Sequence, residues 1–286
     1  MYPYITLFGP FIVYAFWVFT YLAIIAGLYI FLKIAQKYRL DLHILTKHSI
    51  LMIISTVIFA RFARLIFIWK DIFGNSGSEL INNLPSELSP GFFEKYFKFI
   101  YPFDQQYSVW GALLGALIFF IPYAIKHKQN VWRWLDSFTI PVLVGLAIGN
   151  IGLFMDGRRH FGTPSNLPWA INSLHSKFAV DIHPTQIYSF LYCLAIAGII
   201  YYFFKRRNKY TFWDRSGNLA LLGIALFSFI RFWQEFIIGI DKYLNIFGIY
   251  ITYYISAAAF ITATTYLIIR FNKFKQSKND INKKSS

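Results

Sequence analysis

Residues 145–169 read GLAIGNIGLFMDGRRHFGTPSNLPW. The segment opens as an apolar helical run with glycines at Gly145, Gly149 and Gly152. Small residues three and four apart share a helix face and let a membrane helix lie close to a neighbour or to a lipid. The run then breaks into a charged turn, Asp156-Gly157-Arg158-Arg159-His160, and a loop with Gly162, Pro164 and Pro168. Ionisable residues at the mouth of a membrane helix are costly, so they mark a candidate site. The plainer reading is a set of packing glycines followed by arginines at the membrane surface.

The rest of the chain has the same character. Of its 286 residues, 57% are hydrophobic and 21% aromatic, while 14% are charged. A soluble domain of this size cannot cover that much apolar surface, so the composition predicts a polytopic membrane protein. Seven apolar stretches reach the roughly 20 residues that a helix needs to cross a bilayer. They are 11–32, 48–69, 107–125, 135–155, 185–204, 217–237 and 245–269. The expected fold class is all-α, a bundle of about seven transmembrane helices over residues 1–270. A periplasmic or extracellular head insertion occupies 70–106, and a basic, disordered cytoplasmic tail occupies 271–286. The first stretch lacks a basic start and a small-residue cleavage site, and reads as a retained span. Cys193 lies within an apolar run and gives neither a disulfide framework nor a metal site. No metal and no cofactor are expected.

The net charge of +15 raises the question of nucleic acid. The positions of the charges answer it. Eighteen of the 28 lysines and arginines fall on one set of loops, around residues 33–47, 126–133, 205–215 and 270–284, and seven fall on the other. By the positive-inside rule the first set is cytoplasmic, with the N-terminus outside and the C-terminus inside. The basic excess is a topology signal with some attraction to anionic lipid, and no nucleic-acid partner is expected.

The remaining three cations, Arg61, Arg64 and Arg231, fall within apolar stretches. Arg231 and Glu235 are four apart, share a helix face and can pair near the outer end of the sixth stretch. Charges in lipid turn toward a bundle interior or a water-filled cavity. One reading is a structural ion pair. The other is an anion site, because the planar guanidinium suits a phosphate and lipid headgroups supply phosphates. The head insertion carries Phe92, Phe93, Tyr96, Phe97, Phe99 and Tyr101, which suit either an interfacial segment or a packed cap. Gly111, Ala112 and Gly115 form a small face on the third stretch, behind an interfacial Trp110. His183-Pro184-Thr185-Gln186-Ile187-Tyr188 opens the fifth, with the proline suited to a first helical turn.

Together these segments resemble the prolipoprotein diacylglyceryl transferase family, over most of the chain. Ala60-Arg61-Phe62 resembles its arginine motif, and Gly111 and Gly115 the glycines of its His-Gly-Gly motif. Gly149, Gly152 and Gly157 follow its glycine-rich signature, and Gly162, Pro164, Leu167, Pro168 and Trp169 the loop after it. His183-Pro184, Gln186 and Tyr188 resemble its His-Pro-x-Gln-x-Tyr segment, and Arg231, Phe232 and Glu235 its Arg-Phe-x-x-Glu motif. The chain departs from the family at Trp110, which stands at the histidine, at Asn150 (an arginine), Leu153 (an asparagine), Arg158 (a glutamate) and Ser189 (an acidic residue).

The resemblance implies a multi-pass enzyme of the bacterial inner membrane. It would move a diacylglyceryl group from phosphatidylglycerol to a cysteine thiol of a lipoprotein precursor, so the implied partners are a phosphatidylglycerol-like donor, the precursor and the membrane. Implied catalytic residues are His183, Arg231 and Glu235. Implied substrate-binding residues are Arg61, Gly111, Gly149, Asn150, Gly152, Arg158, Gln186 and Tyr188. The alternative is a member of the same fold that binds phospholipid or lipopeptide without the transfer. A transporter fits less well, because the intramembrane charges cluster toward one end.

Overall fold

Helices form where the apolar runs are long, and they end where the sequence supplies a stop. The structure, a computed structural model, describes residues 4–8, 11–73, 109–157, 162–172, 180–207, 211–238, 245–246 and 249–285. An antiparallel hairpin of β1 (Tyr4–Phe8) and β2 (Phe11–Tyr14) leads into α1 (Ala15–Tyr38) and α2 (His43–Phe73). There follow α3 (Val109–Lys126), α4 (Val131–Asp156), α5 (Thr185–Lys205), the single turn α6 (Thr211–Asp214) and α7 (Asn218–Gln234). A second hairpin, β3 (Asn245–Ile246) and β4 (Ile249–Tyr250), precedes α8 (Ile251–Ser285). The all-α class expected from the sequence is observed. Among the described residues, α1, α4, α5 and the Thr252–Asp280 part of α8 are long and apolar enough to cross a membrane. Shorter apolar runs cover Ile50–Ala63, Leu114–Lys126 and Asn218–Gln234.

The chain divides into two units, Met1–Leu40 with Asn130–Ser286, and Asp41–Gln129. In the first, α4 packs along α1 and α5, and α7 packs on α4, α5 and α8. Ile34 and Tyr38 of α1, Ile140 and Leu143 of α4, Ile196, Ile200 and Phe204 of α5 and Leu219 of α7 form its core. Outward-facing residues stay apolar, with Ile25, Leu191 and Ile261 exposed, as a surface turned to lipid tails requires. Several hydroxyls on these helices bond to their own backbone. Thr20, Thr139 and Thr262 donate to the carbonyls of Phe16, Leu135 and Ala258 one turn earlier, which removes the cost of a bare hydroxyl in an apolar setting.

Both ends of α4 are capped. The Asn130 side chain accepts from Arg133 N at 3.2 Å, and Gly157 closes the other end in the left-handed conformation, at φ 65°. The start of α7 is secured from elsewhere in the chain. Asp136 on α4 accepts from Gly217 N at 2.6 Å and Ala220 N at 2.8 Å, so a buried carboxylate meets the N–H donors at the head of a helix that have no intrahelical acceptor. Arg270 on α8 donates to the Ser216 carbonyl and to Asn218 Oδ1, and stacks on Trp132 and Tyr266. Gly217, at φ 95°, has no room for a Cβ, which would lie 2.5 Å from the Trp132 ring. Replacing Asp136 by alanine leaves two buried N–H groups without this acceptor. The expected cost is about 2–4 kcal/mol, read as a fall of roughly 5–10 °C in the apparent Tm of the detergent-purified protein. Asp136→Asn keeps one acceptor oxygen and is expected to lose less.

In the second unit α2 and α3 cross closely. A Cβ at Gly111 would meet the Phe59 carbonyl at 2.4 Å, and one at Gly115 the Phe59 Cβ and the Ser55 carbonyl at 2.7 Å. Ser55 Oγ donates to the Gly115 carbonyl at 3.0 Å across the same crossing.

The element boundaries differ from the sequence reading in four places. Phe11–Tyr14 belongs to β2 rather than to the first span, because Ile12, Val13 and Tyr14 are β-branched and aromatic residues that find a partner strand. Residues 245–250 likewise pair as β3 and β4, and α8 starts at Ile251. The second helix starts at His43 and continues to Phe73. The basic tail, expected to be disordered, continues α8 through Ser285, where residues 271–285 contain neither glycine nor proline to stop it. The head insertion lies outside the described residues beyond Phe73.

Candidate functional site

The polar residues at the head of α5 and the end of α7 converge. Thr185, Gln186, Ser189 and Cys193 are buried on one face of α5, and Gln234 and Glu235 are buried at the end of α7. Arg231 Nη2 pairs with Glu235 Oε1 at 2.6 Å, one helical turn apart, so the pair expected from the four-residue spacing forms. The other Glu235 oxygen accepts from the Thr252 hydroxyl of α8 at 3.1 Å. Arg231 Nη1 donates to Gln234 Oε1 at 3.0 Å. The Gln234 amide nitrogen in turn donates to the Thr185 carbonyl and to Ser189 Oγ, both at 2.7 Å. Three helices therefore hold one guanidinium, whose side chain remains 21% exposed.

His183 sits just before α5, in a small cap of extended segments. Isolated antiparallel bridges join Gly162 to Ile238, and Ile182 to both Pro164 and Ile171. Thr163 N donates to the Ile237 carbonyl at 2.7 Å, and His183 N donates to the Thr163 carbonyl at 3.1 Å. The loop after α4 is thus laced between the end of α7 and the histidine segment. Gly162 permits this, because a Cβ there would lie 2.4 Å from the His183 carbonyl. The His183 ring has its Nδ1 3.3 Å from Tyr188 Oη, and Tyr188 Oη also accepts from Trp169 Nε1 at 2.8 Å. In the tautomer with Nδ1–H donating to Tyr188, Nε2 keeps the free lone pair that proton acceptance needs.

The residues singled out by the sequence fall into three groups. His183, Gln186, Tyr188, Arg231 and Glu235 come together around the α5 and α7 ends. Gly149, Asn150 and Gly152 lie on α4 and play different parts there. Gly152 meets α1, where a Cβ would come within 2.8 Å of Phe19, while Gly149 has nothing within 4 Å of its Cβ position. The Asn150 amide turns back to the Leu146 carbonyl at 2.7 Å. Arg61, half-buried on α2, and Gly111, packed on α2, belong to the other unit. Arg158 and His160 lie outside the described residues, as does the Trp110 side chain.

The glycines give a paired prediction. Gly115→Val puts a branched side chain against the backbone of α2, and about 1–3 kcal/mol of overpacking is expected, seen as lower yield and apparent Tm. Gly149→Ala meets open space and replaces a helix-weakening residue, so its Tm is expected to hold or rise.

A model of the prolipoprotein diacylglyceryl transferase family matches residues 3–269. The chain belongs to that family. Similar proteins include two named phosphatidylglycerol–prolipoprotein diacylglyceryl transferase from Prochlorococcus marinus. That of strain MIT 9215 is 27% identical over 225 residues, covering 74% of this chain and 71% of the relative. That of strain NATL1A is 26% identical over 241 residues, covering 79% and 75%. A protein of the same name from Finegoldia magna is 32% identical over 130 residues, covering 45% and 48%.

Some residues of this cluster are not among the candidates read from sequence. Gln234 ties α7 to α5, Thr163 ties the loop to both, and Trp169 orients Tyr188. Gln234 carries no signal of its own in the sequence beyond following Arg231 by three residues, on the same helix face.

Proposed function

We propose that this protein transfers a diacylglyceryl group from phosphatidylglycerol to the cysteine thiol of a lipoprotein precursor, at the outer face of a bacterial cytoplasmic membrane. One observation carries the reading. The family's Arg-Phe-x-x-Glu segment forms an ion pair with a buried carboxylate, and hydrogen bonds through Gln234 and Thr185 link it to the histidine segment. The chain is read as seven spans, with the four long helices and the three shorter apolar runs each crossing once. The N-terminus lies outside, and the basic loops and tail are cytoplasmic.

The chemistry asks for two things. A thiolate must form, because the thiol itself is a poor nucleophile. The phosphate of the donor must be held while it becomes part of a leaving group. In the proposed step the cysteine sulfur bonds to the glyceryl carbon that carries the phosphate ester, and that C–O bond breaks. The bond electrons leave on glycerol phosphate, and the thiol proton goes to His183 Nε2. Arg231 faces the phosphate, with its charge directed by Glu235. Tyr188 holds the His183 ring, and Gln186 is buried in the first turn of α5. Arg158 is a further cation for the donor headgroup, and the family's arginine motif assigns Arg61 to substrate binding as well. Gly149 and Asn150 mark the stretch of α4 where an acyl chain has room, Gly152 fixes that helix against α1, and Gly111 sets the α2–α3 crossing.

The test is complementation of a strain depleted of its own transferase, with lipoprotein mass as the readout. Growth with diacylglyceryl-modified lipoprotein is expected. Good membrane expression with unmodified lipoprotein overturns the proposal.

A further inference from the structure

We propose that Gln234 is a positioning residue, which holds the Arg231 guanidinium in the pose that presents its remaining N–H groups to a lipid phosphate. The inference rests on the donor-binding reading of Arg231 and adds the group that sets its geometry. Gln234 is the last residue of α7 and 5% exposed. Its Nε2 donates to the Thr185 carbonyl and to Ser189 Oγ. Its Oε1 accepts from the Tyr192 hydroxyl at 3.1 Å and from Arg231 Nη1 at 3.0 Å. A side-chain amide has two donor hydrogens and two acceptor lone pairs, so this set is full. The amide has one acceptable orientation. Rotated by half a turn, it would set its N–H groups against the guanidinium, which has no acceptor.

Glu235 and Gln234 hold Arg231 in different ways. Glu235 lies one turn along the same helix and fixes the guanidinium relative to α7. Gln234 fixes it relative to α5, through the Thr185 carbonyl and the Ser189 hydroxyl, which itself donates to that carbonyl at 2.9 Å. Thr185 N donates to the His183 carbonyl at 2.9 Å, so the arginine is registered to the segment that carries the histidine. On the guanidinium, Nη1 donates to Gln234, Nη2 pairs with Glu235 and the Tyr192 hydroxyl is a further neighbour, while the 21% of the side chain that stays exposed is the part an anion can reach. The hold by Gln234 is uncharged. A second carboxylate there would offset the guanidinium charge that attracts a phosphate.

A double-mutant cycle on the full-length protein, in mixed micelles of detergent and phosphatidylglycerol with a cysteine-bearing lipopeptide as acceptor, tests this. Gln234→Leu is expected to lower kcat/KM for the lipid by about 10–100-fold, mainly through KM. In an Arg231→Lys background it is expected to cost no more than about 2-fold further, because the group it positions is already gone. Losses that multiply in the double variant overturn the proposal.

A second measurement does not depend on turnover. In protein labelled with ¹⁵N-arginine, the side-chain resonance missing from Arg231→Lys identifies Arg231. Gln234→Leu is expected to shift it and speed rotation of the guanidinium. An unchanged resonance overturns the proposal. If the parent protein transfers nothing from phosphatidylglycerol, the functional reading fails while this resonance still decides the role of Gln234. Should Gln234→Leu not fold, Gln234→Glu keeps the size and an oxygen for Arg231. A KM for phosphatidylglycerol at least about tenfold higher is then expected, and a parental KM overturns the proposal.

Discussion

Arg231→Ala is expected to reduce diacylglyceryl transfer from phosphatidylglycerol by at least about 10²–10³-fold, the usual cost of removing a charge-stabilising donor from a preorganised site. The group it removes is half of a 2.6 Å ion pair whose carboxylate is almost fully buried. Burying a carboxylate is tolerable when a guanidinium faces it. Taking the guanidinium away also costs stability, about 3–5 kcal/mol for a buried pair. Arg231→Lys separates the two effects. It keeps the charge near Glu235 but loses the planar fork that reaches Gln234 and Glu235 together. A folded Arg231→Lys protein with parental kcat/KM for the lipid would remove the phosphate role assigned to this arginine.

The second large effect is expected at His183. Replacing it by alanine should lower the rate of thioether formation by about 10²–10⁴-fold, the usual contribution of a positioned base. Binding of the lipid donor should change little, because the ring is held by Tyr188 while Arg231 is held by Gln234 and Glu235. Added imidazole should restore part of the rate, since the cap around the ring is held by backbone bonds of Thr163 and Ile237 that the substitution leaves intact. A His183→Ala enzyme with the parental rate assigns proton removal to another group. Tyr188→Phe provides a graded check, because it removes the oxygen that meets both His183 Nδ1 and Trp169 Nε1 while keeping the ring.

The helices and the ion pair were legible in the sequence because both follow from short-range rules. Apolar runs of sufficient length become helices, and residues four apart on a helix meet, as Arg231 and Glu235 do. Pro184 and the apolar run after it put the helix start between His183 and Tyr188, where it is observed. What was not legible depends on contacts between distant segments. Nothing local in Trp-Gln-Glu says that Gln234 reaches Thr185, 49 residues away. Nothing in Gly162-Thr163 says that this loop will lie between His183 and Ile237. The glycines show the same limit. Gly149 and Gly152 look alike in sequence, yet one faces open space and the other a phenylalanine of α1. The short hairpins were missed because runs of apolar, β-branched residues suit either strand or helix until a partner strand decides.

The tie between Asp136 and the head of α7 bears on how the protein is made. Asp136 precedes its partners Gly217 and Ala220 by 81 and 84 residues. At a synthesis rate of roughly 5–20 residues per second this is a delay of about 4–16 s. Within that interval α4 is completed, while the helix whose N–H groups meet its carboxylate does not yet exist. Asp136 lies five residues from the start of α4, about 8 Å along the helix axis. In the proposed orientation that depth keeps it within reach of cytoplasmic water while the ribosome finishes α7. The same carboxylate placed mid-helix would wait in hydrocarbon. The position of this acidic residue therefore answers a demand of biogenesis as well as of the finished bundle: α4 can enter the membrane first, and α7 docks on a cap already waiting for it.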